Sequence, residues 1–252
     1  AVGTTSGTAI SFGTPVVFES ASTGMKAIAF DPNNANKFVI AYEDNGNSSY
    51  GTAIVGTVSG TTVSFASPVV FSGSNNIDQL AISFDPNTAN KFVIAYKDSG
   101  NSHYGTAIVG TLSGTTPSFG TAVVFNSGGQ TEYITMAYDI NTANKCAMAY
   151  RDYGNSHYGT AIVGTVSGTS ISFGSETANY NSIAFDPSNA NKCVIAYSDN
   201  GNSNHGTAIV GTVSGTSISF GTPVVYMAAA ITYISISFDP TTATKFVVAH
   251  RG

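Results

Sequence analysis

The sequence is poor in charge and in cysteine. Only 9% of its 252 residues are charged, against about 25% in a typical globular chain, and 9 Lys and Arg stand against 14 Asp and Glu. So few cations exclude the basic surface that nucleic-acid binding requires. Two cysteines, Cys146 and Cys193, are too few for a disulfide framework. The sequence also lacks any run of about 18 apolar residues, so it predicts no membrane insertion.

What the sequence has instead is apolar residues and small polar ones. Hydrophobic residues make up 42% of the chain, which excludes a disordered tail because disorder needs low hydrophobicity and high charge. Most of the polarity comes from Gly, Ser, Thr and Asn, so the expected surface is neutral and rich in short hydrogen-bonding groups. Such a surface suits extracellular use, and we expect a secreted or surface-exposed protein that needs no cofactor.

An internal repeat is the strongest signal in the sequence. Phe30-Asp31-Pro32 is followed by an apolar run, then by Gly-Thr-Ala-Ile-Val-Gly-Thr from Gly51, and then by two short apolar segments. Further copies of the first segment begin at Phe84, Tyr138, Phe185 and Phe238, and copies of the glycine-rich run begin at Gly105, Gly159 and Gly206. The runs are short, rich in β-branched and aromatic residues and bounded by turn formers, with no helical periodicity. Each repeat therefore predicts four antiparallel strands, which we name a to d in chain order.

Repeats of this length with four strands are typical of the blades of a β-propeller. A solenoid, the competing all-β architecture, would need shorter coils and distinct capping repeats. Residues 2–13 match residues 55–66, so the chain opens in strand c, and residues 247–250 close it in strand b. The sequence therefore predicts a single five-bladed β-propeller domain over residues 1–252, closed into a ring by N-terminal strands that complete the C-terminal blade. The expected blades are 25–71, 78–125, 132–175, 181–226, and 231–252 together with 1–18.

Several repeated positions have structural explanations. Three prolines are predicted to lie in strand d, the outer edge, where a missing N–H is tolerated: Pro15, Pro68 and Pro223. Cys146 and Cys193 occupy a strand-b position that is phenylalanine in the other copies, which predicts buried free thiols. A carboxylate recurs at every a–b turn: Asp31, Asp85, Asp139, Asp186 and Asp239. Asp-Pro favours a turn in which the Asp side chain bonds backbone N–H groups ahead, and a cation-binding ring of carboxylates is the alternative.

The opposite face of the predicted propeller carries the b–c hairpins and the d–a loops. The d–a loops differ among the copies while the framework stays constant, as in a scaffold for binding, although unconstrained loops would also drift. These loops are Ser20–Met25, Ser72–Gln79, Ser127–Tyr133, Ser175–Asn181 and Met227–Tyr233. The b–c hairpin spans residues 44–51 and recurs at residues 98–105, 152–159 and 199–206. The fifth copy lacks it, so at most four equivalent hairpin sites are expected.

The Asp-x-Gly-x-Ser core of these hairpins resembles the Asp-box hairpin of sialidases and related propellers. The aromatic position departs from that motif, since Tyr50, Tyr104, Tyr158 and His205 lie one residue later. In that family the hairpin is a folding element away from the chemistry, so the resemblance implies no sialidase activity. The triad of arginines that such a site needs is also out of reach, because Arg151 and Arg251 are the only two.

The polar residues of these hairpins match what holds a neutral sugar, namely directional hydrogen bonds and an aromatic platform. The candidate ligand-binding residues are Asp44, Asn47, Tyr50, Asp98, Asn101, His103, Tyr104, Asp152, Asn155, His157, Tyr158, Asp199, Asn202 and His205. The same residue types are ordinary turn formers, so a purely structural role is the alternative for each. The histidines lie one per blade, too far apart to share an ion, and we expect no metal site.

Three classes of function are compatible with this pattern. A non-catalytic multivalent binding module would resemble the five-bladed tachylectin-type lectins in architecture and copy number, with a glycan or cell-surface ligand as its partner. A structural or adhesive surface propeller without a small-molecule ligand is the alternative. A glycosidase needs two carboxylates around one cleft, and the singular acids Asp78, Glu132 and Glu176 form no local pair. We therefore expect a lectin-like binding module and no enzyme.

Overall fold

The structure is a computed structural model that describes residues 1–73, 76–175, 177–178, 182–242 and 244–252. Among these residues the chain forms short antiparallel strands joined by tight turns, without an α-helix, so the predicted all-β class is confirmed. The strands are β1 (Gly3–Ser6), β2 (Ala9–Phe12), β3 (Thr23–Phe30), β4 (Lys37–Asp44), β5 (Tyr50–Ser59), β6 (Thr62–Phe65), β7 (Val69–Ser72), β8 (Ile77–Phe84), β9 (Lys91–Asp98), β10 (Tyr104–Ser113), β11 (Thr116–Phe119), β12 (Val123–Asn126), β13 (Thr131–Tyr138), β14 (Lys145–Asp152), β15 (Tyr158–Ser167), β16 (Ser170–Phe173), β17 (Thr177–Ala178), β18 (Ser182–Phe185), β19 (Lys192–Asp199), β20 (His205–Ser214), β21 (Ser217–Phe220), β22 (Val224–Ala230), β23 (Thr232–Phe238) and β24 (Phe246–Arg251). Single turns of 3-10 helix cover Asn45–Asn47, Tyr153–Asn155 and Asn200–Asn202.

Four antiparallel sheets repeat one design, and we number them I (β3–β7), II (β8–β12), III (β13–β17) and IV (β18–β22). Strands a, b and c pair in chain order with the same register, so that Phe38 lies opposite Gly56 in sheet I and Phe92 opposite Gly110 in sheet II. These repeated sheets support a propeller-like fold.

The outer strand d differs from the prediction because it is interrupted. In sheet I both β6 and β7 pair with β5, and Pro68 lies in the gap between them rather than within a strand. Pro223 lies in the equivalent gap of sheet IV, and Pro15 follows β2. Sheet II is interrupted at residues 120–122 without any proline. Proline therefore fits the gap, where no N–H is needed for the ladder, but does not cause it.

The core lies between consecutive sheets, where a face of small side chains packs on a face of large ones. At the contact of sheets I and II, Val39 and Ala41 of β4 pack with Phe92, Ile94 and Tyr96 of β9, and all of them are buried. The same arrangement recurs between sheets II and III and between sheets III and IV. Because full burial of one Ile or Phe side chain is worth about 1.5–3 kcal/mol, these contacts bind each sheet to the next.

The two cysteines are confirmed as buried free thiols. Burial raises the pKa of Cys146 and of Cys193 to about 12. Cys146 lies opposite Gly164, where an added Cβ would come within 2.8 Å of its Sγ atom. Both residues therefore act in packing, because a thiol without thiolate character is unreactive.

Two short hairpins flank the four sheets. The N-terminal hairpin consists of β1 and β2, the C-terminal hairpin consists of β23 and β24, and each is a two-stranded sheet of its own. Among the described strands no ladder joins β24 to β1, so the predicted ring closure is not confirmed. Many apolar side chains of both hairpins are open to solvent, with Ile10 62% and Val247 73% exposed, although Ile236 of the C-terminal hairpin is buried against sheet IV. Five blades in a closed ring therefore stay a prediction.

Turns and hairpins sort to two opposite ends of the sheets, as predicted. At one end a–b turns meet c–d turns, and Lys37 Nζ donates to the carbonyl of Gly114 in the next sheet at 2.9 Å. At the other end d–a loops meet b–c hairpins: the N–H of Asn76 donates to the carbonyl of Ser49, and the N–H of Ser99 donates to that of Asn76. We name this second end the hairpin face. The described part of the chain contains no helix with the length and hydrophobicity that a membrane crossing requires.

Candidate functional site

The aspartates of the a–b turns hold the turns together and tie neighbouring sheets to each other. Oδ1 of Asp31 accepts the N–H of Asn33 at 2.9 Å, and its Oδ2 accepts the N–H of Asn90 in sheet II at 3.2 Å. Oδ2 of Asp139 likewise accepts the N–H of Asn191 in sheet IV at 3.1 Å. The predicted turn role is confirmed by these bonds. Within the described ranges, no group of three or more His, Cys, Asp or Glu side chains is placed to hold a metal ion.

The aspartates of the b–c hairpins also cap turns. Each accepts the backbone N–H of the glycine two residues later: Asp44 from Gly46 at 3.0 Å, Asp98 from Gly100 at 3.1 Å, Asp152 from Gly154 at 2.8 Å and Asp199 from Gly201 at 3.0 Å. Asp44, Asp98 and Asp152 are buried as well. These four candidates therefore shape the hairpins, and three of them present little surface to a ligand.

The tips of the hairpins present amide and ring side chains to solvent. Two consecutive residues at each tip adopt the left-handed conformation, such as Ser102 and His103, with φ of 57° and 61°. Exposed candidates are Asn47, Asn101, Asn155, Asn202, His103, His157 and Tyr158, whereas Tyr50, Tyr104 and His205 are half-buried. Each hairpin belongs to a different sheet, so the structure does not gather the four hairpins into one site.

A cavity opens between the hairpins of sheets III and IV. It has a volume of about 380 Å³, and three candidate residues line it: His157, Tyr158 and Asp199. Tyr133 and Tyr197 line it too. Burial, assisted by the carboxylate of Asp199, raises the pKa of Tyr197 to about 12, so its hydroxyl stays protonated at neutral pH.

Sheet III carries a polar cluster beside this cavity. Arg151, which lines the cavity, has Nη1 3.9 Å from Oε2 of Glu132 and its guanidinium carbon 5.0 Å from the centre of the Tyr153 ring. Glu132 accepts hydrogen bonds from the Tyr153 hydroxyl at 3.1 Å and from the Gln130 amide at 3.0 Å. The His157 ring packs edge-on against Tyr153 with centroids 4.2 Å apart. The cluster therefore fixes the orientation of one guanidinium and one imidazole at the cavity.

A second cavity of about 670 Å³ shares Tyr133, Ser198 and Asn200 with the first, and Tyr233 lines it as well. Tyr133 and Tyr233 hold the same position of strand a, with φ of 52° and 51°, and their side chains are 50% and 77% exposed. A bulky residue in the left-handed region is strained by about 1–3 kcal/mol, and such strain clusters at sites of function. These tyrosines are therefore candidate ligand contacts.

The candidate list from the sequence left out Tyr133, Arg151, Tyr153 and Tyr233, although Tyr133 and Tyr233 end two of the d–a loops that were weighed as a scaffold for binding. It weighed the four hairpins equally because they share one motif, whereas the cavity uses departures from that motif. Arg151 stands where the other copies have Glu43, Lys97 and Ser198, and Tyr153 stands where they have Asn45, Ser99 and Asn200. A position-by-position comparison of the copies would have found both.

The acids weighed for catalysis have other partners. Burial opposes the ionisation of Asp78, but the hydrogen bond and charge of Lys97, whose Nζ lies 3.0 Å from Oδ2, and the hydrogen bond from the Gln79 N–H together outweigh it and lower the pKa of Asp78. Glu132 is held by Gln130 and Tyr153, as described above. Glu176 lies outside the described residues.

Comparisons with known proteins bear on the fold alone. No family model and no curated protein matches the chain. Its structure is similar to that of Sqt1 from Chaetomium thermophilum, a WD40 β-propeller, with a TM-score of 0.50 and 12% identity over 85% of this chain and 64% of that chain. Sqt1 bound to the N-terminus of the ribosomal protein L10 matches with a TM-score of 0.50 and 10% identity over 89% and 68% of the two chains. The chain thus spans slightly less than two thirds of the first Sqt1 chain, and the likeness supports a propeller-like fold.

Proposed function

We propose that the chain is a non-catalytic binding module that holds a glycan on its hairpin face. The observation that carries this proposal is the pair of adjoining cavities at sheets III and IV. They combine the exposed rings of Tyr133, Tyr158 and Tyr233 with the polar side chains of Ser198 and Asn200. An aromatic ring offers an apolar platform to the face of a sugar, and a few placed polar groups fix its orientation.

Within this proposal the side chains have distinct roles. Tyr158 and Tyr133 supply the platform, and Ser198 and Asn200 supply hydrogen-bonding groups. Arg151 and His157, oriented by the cluster of sheet III, supply further donors. The other hairpins would bind more weakly, and repeated weak sites add avidity toward a multivalent surface.

A glycan array followed by calorimetric titration with a monovalent hit tests the proposal. We expect Tyr158→Ala to weaken binding about 2- to 13-fold, because stacking on an aromatic ring is worth about 0.5–1.5 kcal/mol. Tyr104→Ala is the matched control, since Tyr104 holds the same hairpin position in sheet II. It should leave the affinity of the main site unchanged. Equal losses of stoichiometry in both variants would instead assign equivalent sites to the hairpins and contradict a dominant site at sheets III and IV.

A peptide is the second candidate ligand. The solved structure of Sqt1 bound to the N-terminus of the ribosomal protein L10 supports it, because in that structure a protein of similar fold binds the end of another protein chain. A peptide array with the same two tyrosine variants separates the ligand classes. Binding of peptides but not glycans, with the same dependence on Tyr158, would replace the glycan. The absence of binding on both the glycan array and the peptide array would favour a structural or adhesive module.

The proposal includes a fifth blade within a single domain over residues 1–252. Strands a and b of that blade are β23 and β24, and strands c and d are β1 and β2. The match of residues 2–13 to residues 55–66 supports this assignment. Secretion or surface exposure belongs to the same proposal and rests on the charge-poor composition.

A further inference from the structure

The C-terminal hairpin ends in an unpaired strand edge with an uncovered face. In sheet I, β4 pairs with β5 along its whole length, whereas β24, the equivalent strand b, pairs only with β23 among the described strands. Val247 in β24 is 73% exposed, whereas Val39 and Val93 at the same position are fully buried. An exposed edge of this kind is a template for pairing with another strand.

The other end of the molecule offers the complementary surface. Strand β1 is a strand c that pairs only with β2 among the described strands. Sheet I also leaves the large face of its strand a open. Ile28 and Phe30 are more than half exposed, whereas Phe84, which matches Phe30, is buried between sheets I and II.

The N-terminal hairpin already occupies the place of a preceding sheet. Gly13 lies so close to the Thr61 carbonyl that a Cβ at position 13 would collide with it. The same close approach joins sheet II to sheet III and sheet III to sheet IV, at Gly120 with Thr169 and at Gly174 with Thr216. What this position lacks is strands a and b, which are the two strands of the C-terminal hairpin.

The repeat fixes the register in which the two hairpins fit. Because Phe38 lies opposite Gly56 in sheet I, Phe246 fits opposite Gly3. The Phe38 ring fills the space above Gly56, where any Cβ would clash with it. In this register the face of β24 that carries Val247 covers the open face of sheet I, just as the face of β4 that carries Val39 covers sheet II.

We propose that the C-terminal hairpin of one chain docks on the N-terminal hairpin and sheet I of a second copy. This inference rests on the proposed fifth blade. One chain supplies its strands a and b, and the second copy supplies its strands c and d. Joining the hairpins within one chain would require new angles between sheets I to IV, and close-packed interfaces resist such change. A second copy completes the blade without rearrangement, by a head-to-tail contact.

Two single-cysteine variants of the 252-residue chain test the joint. The register places Val247 opposite Val2, within the Cα separation of about 4.4–6.8 Å that a disulfide spans. Val247→Cys and Val2→Cys chains with different tags are mixed and oxidised, and we expect a covalent heterodimer well above either homodimer. The native thiols of Cys146 and Cys193 are buried and do not compete. Val224→Cys, at an exposed position outside the joint, replaces Val247→Cys in the control and should give no heterodimer.

A chain that carries both Val247→Cys and Val2→Cys distinguishes a failure of the second-copy proposal from a failure of the fifth blade. Intermolecular disulfides after oxidation support the second copy, together with a light-scattering mass of two or more copies that falls on dilution when the chain is reduced. A disulfide within one monomeric chain overturns the second copy and leaves the fifth blade standing. No disulfide in either arrangement overturns both the second copy and the fifth blade.

Discussion

The four sheets and the two terminal hairpins use the same residues at the same repeat positions, yet they differ in burial. Phe92 in sheet II is fully buried, whereas Phe246 at the same position of the C-terminal hairpin is 40% exposed. Each pairs with a phenylalanine of strand a in the same way, with ring centroids 5.1 Å and 5.4 Å apart. The difference therefore comes from strands c and d, whose Gly110 and Phe119 contact the Phe92 ring, and not from the local sequence. Among the described strands the C-terminal hairpin has neither.

This contrast shows where the stability of the molecule lies. Local sequence specifies each strand and turn, whereas the apolar surface is fully buried only when all strands of the sheet are present and a further sheet packs on each face. Stability then grows with the number of contacts between sheets, as in other repeat proteins whose units contact only their neighbours. A hairpin at the end of the array has its own hydrogen bonds but only part of that packing.

Replacing the two phenylalanines should give the largest difference between the regions. Phe92→Ala is expected to lower the free energy of unfolding by about 3–5 kcal/mol, because it leaves a cavity in a buried core. Phe246→Ala should lower it by less than about 1 kcal/mol in dilute protein, where solvent already reaches the ring. Urea denaturation followed at several protein concentrations measures both. A large loss for Phe246→Ala that is independent of concentration would mean that the ring is closed within one chain.

The glycines that face these phenylalanines should give a smaller difference of the same kind. A Cβ on Gly110 would lie 2.2 Å from the Phe92 ring, so Gly110→Ala is expected to destabilise by about 1–3 kcal/mol through overpacking. A Cβ on Gly3 would meet the exposed Phe12 ring at 3.1 Å and the exposed Ile10 side chain at 3.9 Å, so Gly3→Ala should stay within about 0.5 kcal/mol. Equal effects in thermal unfolding would show that both glycines face a packed ring in solution. Gly3→Ala should also reduce the disulfide-linked heterodimer, because Phe246 would no longer fit.

The features that sequence reasoning predicted are those that neighbouring residues determine. The strands, the turn role of Asp31 and the buried thiols of Cys146 and Cys193 follow from alternation, from turn chemistry and from alignment of the copies. Pairing between β24 and β1 is different, because it depends on the angle at which each sheet meets the next. No local pattern encodes that angle, so the number of repeats in the sequence could not show whether the N-terminal and C-terminal hairpins pair.

The candidate site also has a part that the local sequence predicted and a part that it did not. The shared hairpin motif correctly placed exposed Asn and His side chains at one end of the sheets. The cavity, however, depends on Arg151 and Tyr153, which break the motif, and on the left-handed backbone of Tyr133. That conformation is imposed by a bulge in β13 next to the d–a loop, and the residue type alone does not reveal it.

The smallest expected effect concerns Asp239, the turn aspartate of the C-terminal hairpin. Its Oδ1 accepts the backbone N–H and the hydroxyl of Thr241, both at 2.8 Å, and the N–H of Thr242 at 3.0 Å. These bonds, the one from the Thr241 backbone above all, lower the pKa of Asp239 to about 2. An unfolded chain would give about 3.9. Because the folded-state pKa is the lower one, the ionised carboxylate stabilises the turn above about pH 4, and this stabilisation is lost as the pH falls from about 4 to about 2.

An NMR titration of the Asp239 carboxyl carbon measures this pKa directly, with Asp239→Asn used to assign the signal. We expect a midpoint near 2, because the turn forms from local bonds and does not need a neighbouring sheet. Asp239→Asn should also remove this turn's share of the stability change over that pH range in the unfolding of the full chain. A midpoint near 4 would show that the turn is not formed in solution. The terminal hairpin would then lack local order as well as burial, and the contrast with the four sheets would be one of folding rather than of packing.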